Sequence, residues 1–483
     1  MNKYSIKSAI KSITSDSRQV QLGSLFMAYP GENSDGRAYI AEAIKNGAAA
    51  ILWDPKDFSW RPNWKVENTP IENLRQQAGR IADQFYGAPS DQLWMIGVTG
   101  TNGKTSITHW LSQCFNHLKR KTAVIGTLGN GFAGHNNEPS QLIPTQNTTP
   151  DAIVIQSMLA QYLQLQTEIV AMEVSSHGLD QGRVNGVHFD VAVLSNLTRD
   201  HLDYHGNHEN YAAAKRRLFV SGHLKVAVLN TDDAFGKSIE KELTRAGVSV
   251  MSYGVGGGDV RASKIHFDHG SFSFLVTTPQ GQAEVKANLL GRFNVYNVLA
   301  VLATLPVSKV SLAEAVEAIS YIESVSGRMQ QQGGDRVPLV VVDYAHTPDA
   351  LENVLKALKA QTKAKLICVF GCGGDRDVGK RALMGKVASD VADAVVVTSD
   401  NPRFEHPDKI IQDILEGMHG KYAVEEDRSK AIAIAIANAK PEDTILVAGK
   451  GHEDYQDIKG VKHPFCDMEQ VKLALKRYER SHL

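Results

Sequence analysis

Thr99-Gly100-Thr101-Asn102-Gly103-Lys104-Thr105 follows an apolar run, Leu93 to Val98, and precedes a stretch, Ser106 to Cys114, that can continue as a helix. Small residues at such a turn let backbone N–H groups curl around phosphate oxygens, and the helix start adds positive potential. A lysine at the end of the turn reaches the outer phosphates, and the next Thr hydroxyl can bind magnesium. Lys104 and Thr105 therefore point to nucleotide chemistry. The common form of the motif has a glycine five positions before Gly103, where this chain has Val98. A tight strand–helix turn with a surface lysine is the plainer alternative.

Two further polar groups follow apolar runs. Ile169 to Val174 delivers Glu173, Ser175, Ser176 and His177; Val191 to Leu194 delivers Asn196, Asp200 and His201. Ligands of open α/β sheets gather at the carboxyl ends of strands. An acidic side chain there, beside a phosphate loop, is a natural magnesium ligand. His201 and His205 have the spacing of a metal-binding helix. However, Leu202 stands where the zinc-protease motif has its glutamate, and Gly206 interrupts a helix. Asn147-Thr148-Thr149-Pro150-Asp151 reads as a helix start, with Thr148 or Thr149 as cap and Pro150 in the first turn. Lys215, Arg216 and Arg217 fall on a predicted helix, Tyr211 to Val220. Composition alone supports a solvated basic face there.

Four more apolar strands end in polar clusters. Leu339 to Val342 leads to Asp343-Tyr344-Ala345-His346, and Leu366 to Phe370 leads to Gly371 to Arg376. Ala394 to Thr398 leads to Asp400-Asn401-Pro402-Arg403, and Ile445 to Ala448 leads to Gly449-Lys450-Gly451-His452-Glu453. Helices are expected between them, Pro348 to Leu358 and Ile410 to Met418 among others. That is a βαβ series and predicts a mostly parallel sheet. Four polar ends on one sheet edge make a binding face.

These groups need a frame. At 483 residues, about three domains are expected. Hydrophobic content of 42% and charged content of 22% suit a soluble globular protein, and a net charge of -1 gives no support for nucleic-acid or anionic-membrane binding. The four cysteines are too few and scattered for a disulfide framework, which favours a reducing compartment. The first residues lack the apolar core of a secretory signal, and no stretch is long enough to span a bilayer. A cytoplasmic protein is expected. Residues 1 to 88 alternate strand and helix patterns: Leu25 to Tyr29, a turn-rich Pro30 to Arg37, a helix around Ile40, Ala43 and Ile44, then Ala48 to Trp53. The Ser, Asp and Arg residues of this part read most simply as loop chemistry. Between Met251 and Val285, Gly-rich turns and strands such as Ser271 to Val276 suggest antiparallel pairing. A mostly apolar helix, Val298 to Leu305, follows.

Taken together, TGTNGKT at 99–105, MEVSSHGL at 172–179, NLTRDHLDYHG at 196–206, GRFNVYN at 291–297, SGRM at 326–329 and VVDYAHTPDAL at 341–351 resemble the Mur ligases. GCGGDRD at 371–377, DNPR at 400–403 and GKGHEDYQ at 449–456 narrow the resemblance to members that add meso-diaminopimelate to UDP-N-acetylmuramoyl-L-alanyl-D-glutamate. The resemblance covers nearly the whole chain. It implies an α/β protein of three domains: 1–88 for the UDP-sugar, a central P-loop ATPase domain with a parallel sheet at 89–324, and a Rossmann-like domain for the amino acid at 325–483. It implies ATP and Mg2+, an acyl phosphate on the D-glutamyl carboxylate, and attack on it by the amine of diaminopimelate. Small-molecule substrates and a monomer are expected.

By the same resemblance, Gly100, Thr101, Asn102, Gly103, Lys104, Thr105 and Ser106, with Asn294, Arg328 and Asp343, hold ATP. Lys104, Glu173, His201 and Lys215 are the catalytic set; Thr105, Glu173, His201 and Lys215 (as a carbamate) surround the metal. Ser15, Ser17, Glu32, Asn33 and Ser34 align with UDP-sugar contacts. Asn147, Thr148, Thr149, Ser175, Gln181 and Arg183 align with contacts to the sugar–peptide part. Arg376, Asp400, Asn401, Pro402, Arg403, Gly449 and Glu453 align with the diaminopimelate site. Diaminopimelate is lysine with an added far carboxylate. Arg403, assisted by Arg376, can bond that carboxylate, and Glu453 can hold the ammonium beside it. Lysine would leave Arg403 without its anion. A lysine-adding or folylpolyglutamate-type ligase, and a non-catalytic nucleotide-gated binding protein, are the competing readings. DNPR and GHE argue against the first, and intact Glu173, His201 and Lys215 against the second.

Overall fold

The computed structural model describes residues 6–32, 34–134, 140–145, 147–220, 222–268 and 270–482, excepting the side chains of Asp203 and His482. Asn33 lies outside the described residues. Contacts divide the chain into two units, Met1–Arg261 with Leu299–Ala318, and Ala262–Val298 with Ile319–Leu483.

The first unit opens with a four-stranded parallel sheet in the order Ser12–Thr14, Ser24–Ala28, Ala50–Trp53, Glu67–Pro70. Its middle strands are buried on both faces, as their unbroken apolar runs require. The helix Leu74–Tyr86 covers one face with Leu74, Ala78, Ile81 and Ala82, joined in that core by Ile153. Gly79 sits so close to the next segment that a Cβ would stand 1.9 Å from Asn185 O. Glycine there lets the helix dock.

The larger sheet of this unit is built around the strand Trp94–Thr99. It pairs in parallel with Ile169–Glu173 on one side and Val191–Leu194 on the other. Thr122–Gly126 lies beyond Ile169–Glu173, while Val226–Asn230 and Ser249–Gly254 extend the other side, all parallel. The expected carboxyl edge is thus real: Thr99, Glu173 and Leu194 end neighbouring strands. Gly97 lets the Phe189 ring lie against the sheet, where a Cβ would stand 2.9 Å from it.

The second unit carries a six-stranded sheet in the order Gln330–Gly334, Val337–Asp343, Thr444–Ala448, Leu366–Phe370, Ala394–Val397, Tyr422–Val424. Only Gln330–Gly334 is antiparallel. The four expected strands are its centre, and helices Pro348–Lys359, Gly379–Val391, Pro407–Leu415, Arg428–Ala437 and Asp467–His482 form the packing layers. Ser271–Thr278 and Gly281–Ala287 form the expected antiparallel hairpin.

Three local expectations are corrected. The helix Ala152–Gln164 is capped by Asp151, whose side chain accepts from Ile153 N, so Thr148 and Thr149 are not its cap and Pro150 precedes it. Ser249–Gly254 pairs with Val260–Asp268 in parallel, not antiparallel, over the short register Tyr253 to Val260 and Gly254 to Arg261. The helix expected from Val298 begins at Arg292 and so takes in Asn294. Among the described residues no helix is long and apolar enough to cross a membrane.

Candidate active site

In the first unit, Gly100 (φ 150°) and Gly103 (φ 87°) adopt backbone angles that L side chains disfavour, and helix Lys104–His117 starts immediately after them. A Cβ on Gly100 would also stand 1.9 Å from Ser195 Oγ. The loop is tied to the end of Val191–Leu194: Thr101 N donates to Asn196 O at 2.9 Å and Asn102 N to Asn196 Oδ1 at 3.0 Å. Lys104 Nζ donates to Gly100 O and Thr101 O, both at 2.9 Å, so its charge lies across the mouth of the loop. Thr105 and Ser106 are buried behind it.

Glu173 ends its strand fully buried. Its carboxylate accepts from Thr105 Oγ1 at 2.9 Å, Thr127 N at 2.8 Å and Thr127 Oγ1 at 3.1 Å. Gly126 makes room for it: a Cβ there would stand 2.2 Å from Glu173 Oε1. Lys215 is only 1% exposed. Its Nζ donates to Gly100 O at 2.8 Å and lies 4.6 Å from the Tyr211 ring. Burial, then the charge of Lys104, push its ammonium well below the usual lysine range, with Asp200 acting the other way. The expected solvated face is therefore divided. Arg216 and Arg217 pair with Glu242 and Asp180, while Lys215 turns inward.

His201 caps the short helix Leu202–His205 in a left-handed conformation (φ 54°), so His201 and His205 do not share a helical face. Its Nε2 lies 3.4 Å from Asp200 Oδ2, and its ring meets His177 at 4.8 Å and Tyr211 at 6.0 Å. Tyr211 OH in turn bonds Thr101 Oγ1 at 3.1 Å. Phosphate loop, Lys215 and His201 are thus linked through Tyr211, a residue the sequence reading did not single out. Among the described residues no three His, Cys, Asp or Glu side chains are grouped to hold a metal ion by themselves.

A second set forms one hydrogen-bonded chain. Gln181 Nε2 donates to Glu32 Oε1 and, at 3.3 Å, to Tyr204 OH. Arg183 donates to Gln181 Oε1 and to Thr149 O, both at 2.8 Å. Burial pushes the Arg183 guanidinium down from its usual range. Thr149 Oγ1 donates to Glu173 O and accepts from Ser175 N, each at 2.9 Å, which explains why it does not cap the helix. Thr148 Oγ1 lies 3.1 Å from Thr127 Oγ1. Ser17 instead donates to Glu42 at 2.7 Å; Ser15 is half-buried, and Ser34 and Asn147 are exposed.

In the second unit, Asp343 accepts from Met329 N and Ala345 N, both at 2.8 Å. Burial pushes its carboxyl up, and Arg328 opposes that shift. Arg328 stacks on Tyr344 at 4.9 Å. Asn294 is buried and donates to Leu290 O at 2.7 Å. Three strand ends converge beside them. Asn401 Nδ2 donates to Glu453 Oε2 at 2.7 Å, and the fully buried Lys450 Nζ reaches both Asn401 Oδ1 and Glu453 Oε2 at 3.0 Å. Asp400 lies against Gly449, where a Cβ would stand 2.5 Å from its Oδ2. Burial pushes the Asp400 carboxyl up, against the pull of Arg428 and Lys450.

Pro402 is buried, and Arg403 (φ 49°) donates from Nη1 to Gly374 O at 2.7 Å. A Cβ on Gly373 would stand 2.9 Å from Arg403 Nη1 and 3.9 Å from Arg376 Cγ, so both side chains pass close to this glycine. Lys450 was not singled out from the sequence, although it lies inside GKGHE; neither was Arg428, whose guanidinium bonds Asp467 and Ala448 O.

Comparison with known proteins sharpens the picture. A model described as the Mur ligase middle domain matches residues 98–305. One described as the Mur ligase, glutamate ligase domain, matches 327–451, and one described as the Mur ligase family, catalytic domain, matches 9–86. A protein of Chromobacterium violaceum named UDP-N-acetylmuramoyl-L-alanyl-D-glutamate--2,6-diaminopimelate ligase is 51% identical over 96% of this chain and 94% of its own length. One of the same name from Neisseria meningitidis serogroup A is 48% identical over 95% and 94%. A solved structure of a ligase of that name is 37% identical, with a TM-score of 0.72 over 98% of this chain and 96% of that one. A MurF ligase from Thermotoga maritima, solved in complex with ADP, shares the fold at 20% identity, with a TM-score of 0.66 over 99% of this chain and 100% of that one.

Proposed function

The chain belongs to the Mur ligase family, and we infer that it does what its similar relatives are named for: it uses ATP to join 2,6-diaminopimelate to UDP-N-acetylmuramoyl-L-alanyl-D-glutamate in peptidoglycan synthesis. The observation that carries the choice of amino acid is the guanidinium of Arg403 lying beside Gly373 and Gly374, with Arg376 passing the same glycine and Asn401 of the Arg403 loop bonding Glu453. A carboxylate-binding pair and a carboxylate on one loop system suit the far end of meso-diaminopimelate, which carries both charges.

A carboxylate is a poor electrophile until one oxygen becomes a phosphate leaving group. In this reading the loop from Gly100 to Ser106 cradles ATP, and Lys104 exchanges its bonds to Gly100 O and Thr101 O for phosphate oxygens. Asn294, Arg328 and Asp343 complete the nucleotide contacts. The D-glutamyl carboxylate takes the γ-phosphoryl group and ADP leaves; the diaminopimelate amine then attacks the acyl carbon and phosphate leaves. Charge neutralisation, rather than covalent help, is what the protein contributes to the phosphoryl step.

Thr105, Glu173, His201 and a carbamylated Lys215 would surround Mg2+; the hydroxyl, carboxylate and carbamate are the oxygen donors such a cation prefers, and the His201 imidazole would lie beside them as a nitrogen donor. The ion supplies neutralisation of the phosphate oxygens. The depressed ammonium of Lys215 fits carbamylation, since only the neutral amine adds to CO2, releasing one proton and leaving an anion. Asn147, Thr148, Thr149, Ser175, Gln181 and Arg183 contact the sugar–peptide part in this reading, and Ser15, Ser17, Glu32, Asn33 and Ser34 the UDP-sugar. Asp400, Pro402 and Gly449 shape the diaminopimelate end. The domains run 1–88, 89–324 and 325–483, and the enzyme works as a cytoplasmic monomer.

The test is phosphate release with ATP, Mg2+ and UDP-N-acetylmuramoyl-L-alanyl-D-glutamate. Release that requires both the nucleotide-sugar and diaminopimelate supports the reading. ATP binding with no turnover for any amino acid would leave a nucleotide-gated binding protein instead.

A further inference from the structure

Arg381 lies on the helix Gly379–Val391 with its side chain wholly excluded from solvent. Nη1 donates to Glu405 Oε2 at 2.9 Å and Asp413 Oδ2 at 2.8 Å; Nη2 donates to Glu405 Oε1 at 2.7 Å and Gly373 O at 3.3 Å. Glu405 Oε1 also accepts from Asp375 N at 2.5 Å. Both oxygens of Glu405 are therefore occupied. Asp413 is shared with Lys409 at 2.5 Å, so two cations meet two carboxylates and the group balances.

Glu405 stands two residues after Arg403. A carboxylate so near along the chain could neutralise that arginine, yet Arg403 donates to the uncharged Gly374 O. Each other acid of the facing loop has one oxygen engaged: Asp375 Oδ2 accepts from Phe404 N at 3.1 Å and Asp377 Oδ1 from Gly379 N at 2.8 Å. The two loops are held in contact by Gly374 N donating to Asn401 O at 2.9 Å, and a Cβ on Gly374 would stand 2.0 Å from Pro402 O.

We propose that Arg381 is a specificity-positioning residue: by capturing both oxygens of Glu405 it keeps that carboxylate off Arg403, whose guanidinium stays available to an anionic group of the ligand. The inference rests on the reading of Arg403 given above. A charged pair held bidentately in a buried place keeps its geometry, whereas a released Glu405 would compete with the ligand carboxylate for the same donors. Asp375 N and Gly373 O, also tied to this pair, bring the loop of Arg376 under the same control.

The experiment compares full-length Arg381→Met, Glu405→Gln and the double variant by steady-state phosphate release. Arg381→Met is expected to raise KM for diaminopimelate about tenfold or more, with KM for ATP unchanged. The double variant is expected to return within about threefold of wild type, because the competing charge is gone. Glu405→Gln alone, still able to accept from Arg381, stays near wild type. An unchanged KM for diaminopimelate in Arg381→Met, a double variant no better than the single, or an equal rise in KM for ATP, which is what a merely structural strut would give, would overturn the proposal. If Arg381→Met does not fold, Arg381→Lys with and without Glu405→Gln reads the same comparison. Wild-type protein inactive with diaminopimelate would instead sink the functional reading on which this rests.

Discussion

Gly126 itself would contact no substrate, yet Gly126→Ala should disable the enzyme through Glu173. A Cβ at this position would lie 2.2 Å from Glu173 Oε1, 2.8 Å from Cδ and 2.9 Å from Cγ. Relief of the overlap requires the carboxylate to retreat by about 1 Å. The retreat breaks the bond from Thr127 N, 2.8 Å long, and draws Glu173 away from Thr105. Loss of one charge-assisted bond in a buried place costs about 1.5–3 kcal/mol of stability, and the fold survives. A reacting-site group displaced by about 1 Å costs roughly 100-fold in rate, which is about 2.7 kcal/mol of barrier. Phosphate release should therefore show kcat down about 100-fold with KM for diaminopimelate unchanged, and a melting temperature a few degrees lower. A variant with kcat within about twofold of wild type would refute the placement of Glu173 at the reacting phosphates.

Arg403→Ala should raise KM for diaminopimelate at least 30-fold, equivalent to about 2 kcal/mol, and leave ATP binding intact by titration; an unchanged KM would count against the carboxylate contact. Lys215→Ala should lose turnover and regain part of it with added bicarbonate, and electron density of the wild-type protein should show a carbamate. Density for a bare amine, with bicarbonate inert, would argue for a purely structural lysine. Arg381 beside Glu405, and Lys409 and Arg381 beside Asp413, hold both carboxyls below the ordinary range. Depressed folded-state values mean stability that is present above the unfolded pKa and lost as pH falls through the folded one. The urea midpoint should thus fall between about pH 5 and pH 3, and fall less steeply in Arg381→Met; parallel curves would contradict this.

The phosphate loop and the four polar strand ends of the second unit were legible because apolar runs of strand length ended in residues with a chemical use. Glu173 was legible for the same reason. Lys215 was not: in Lys215-Arg216-Arg217 each step turns about 100° around the helix, and nothing in three adjacent cations says which one faces inward. Lys450 and Arg381 were passed over because charged side chains are rarely wholly buried unless paired, and their partners, Glu453 and Glu405, become visible only in three dimensions. The Asp151 cap was missed because Thr149, the better local candidate, is engaged by Glu173 O and Ser175 N from a distant strand end. Edge strands such as Tyr422–Val424 have exposed residues and no apolar pattern to announce them.

The central claim is that Arg403 and Arg376 select an amino acid with a carboxylate at its far end. Its most direct test is the ratio of kcat/KM for meso-diaminopimelate to that for L-lysine, measured on the wild-type protein with saturating ATP and UDP-N-acetylmuramoyl-L-alanyl-D-glutamate. The account predicts a ratio of at least about 100, since lysine leaves the guanidinium without its anion. A ratio near one, or a preference for lysine, would contradict it.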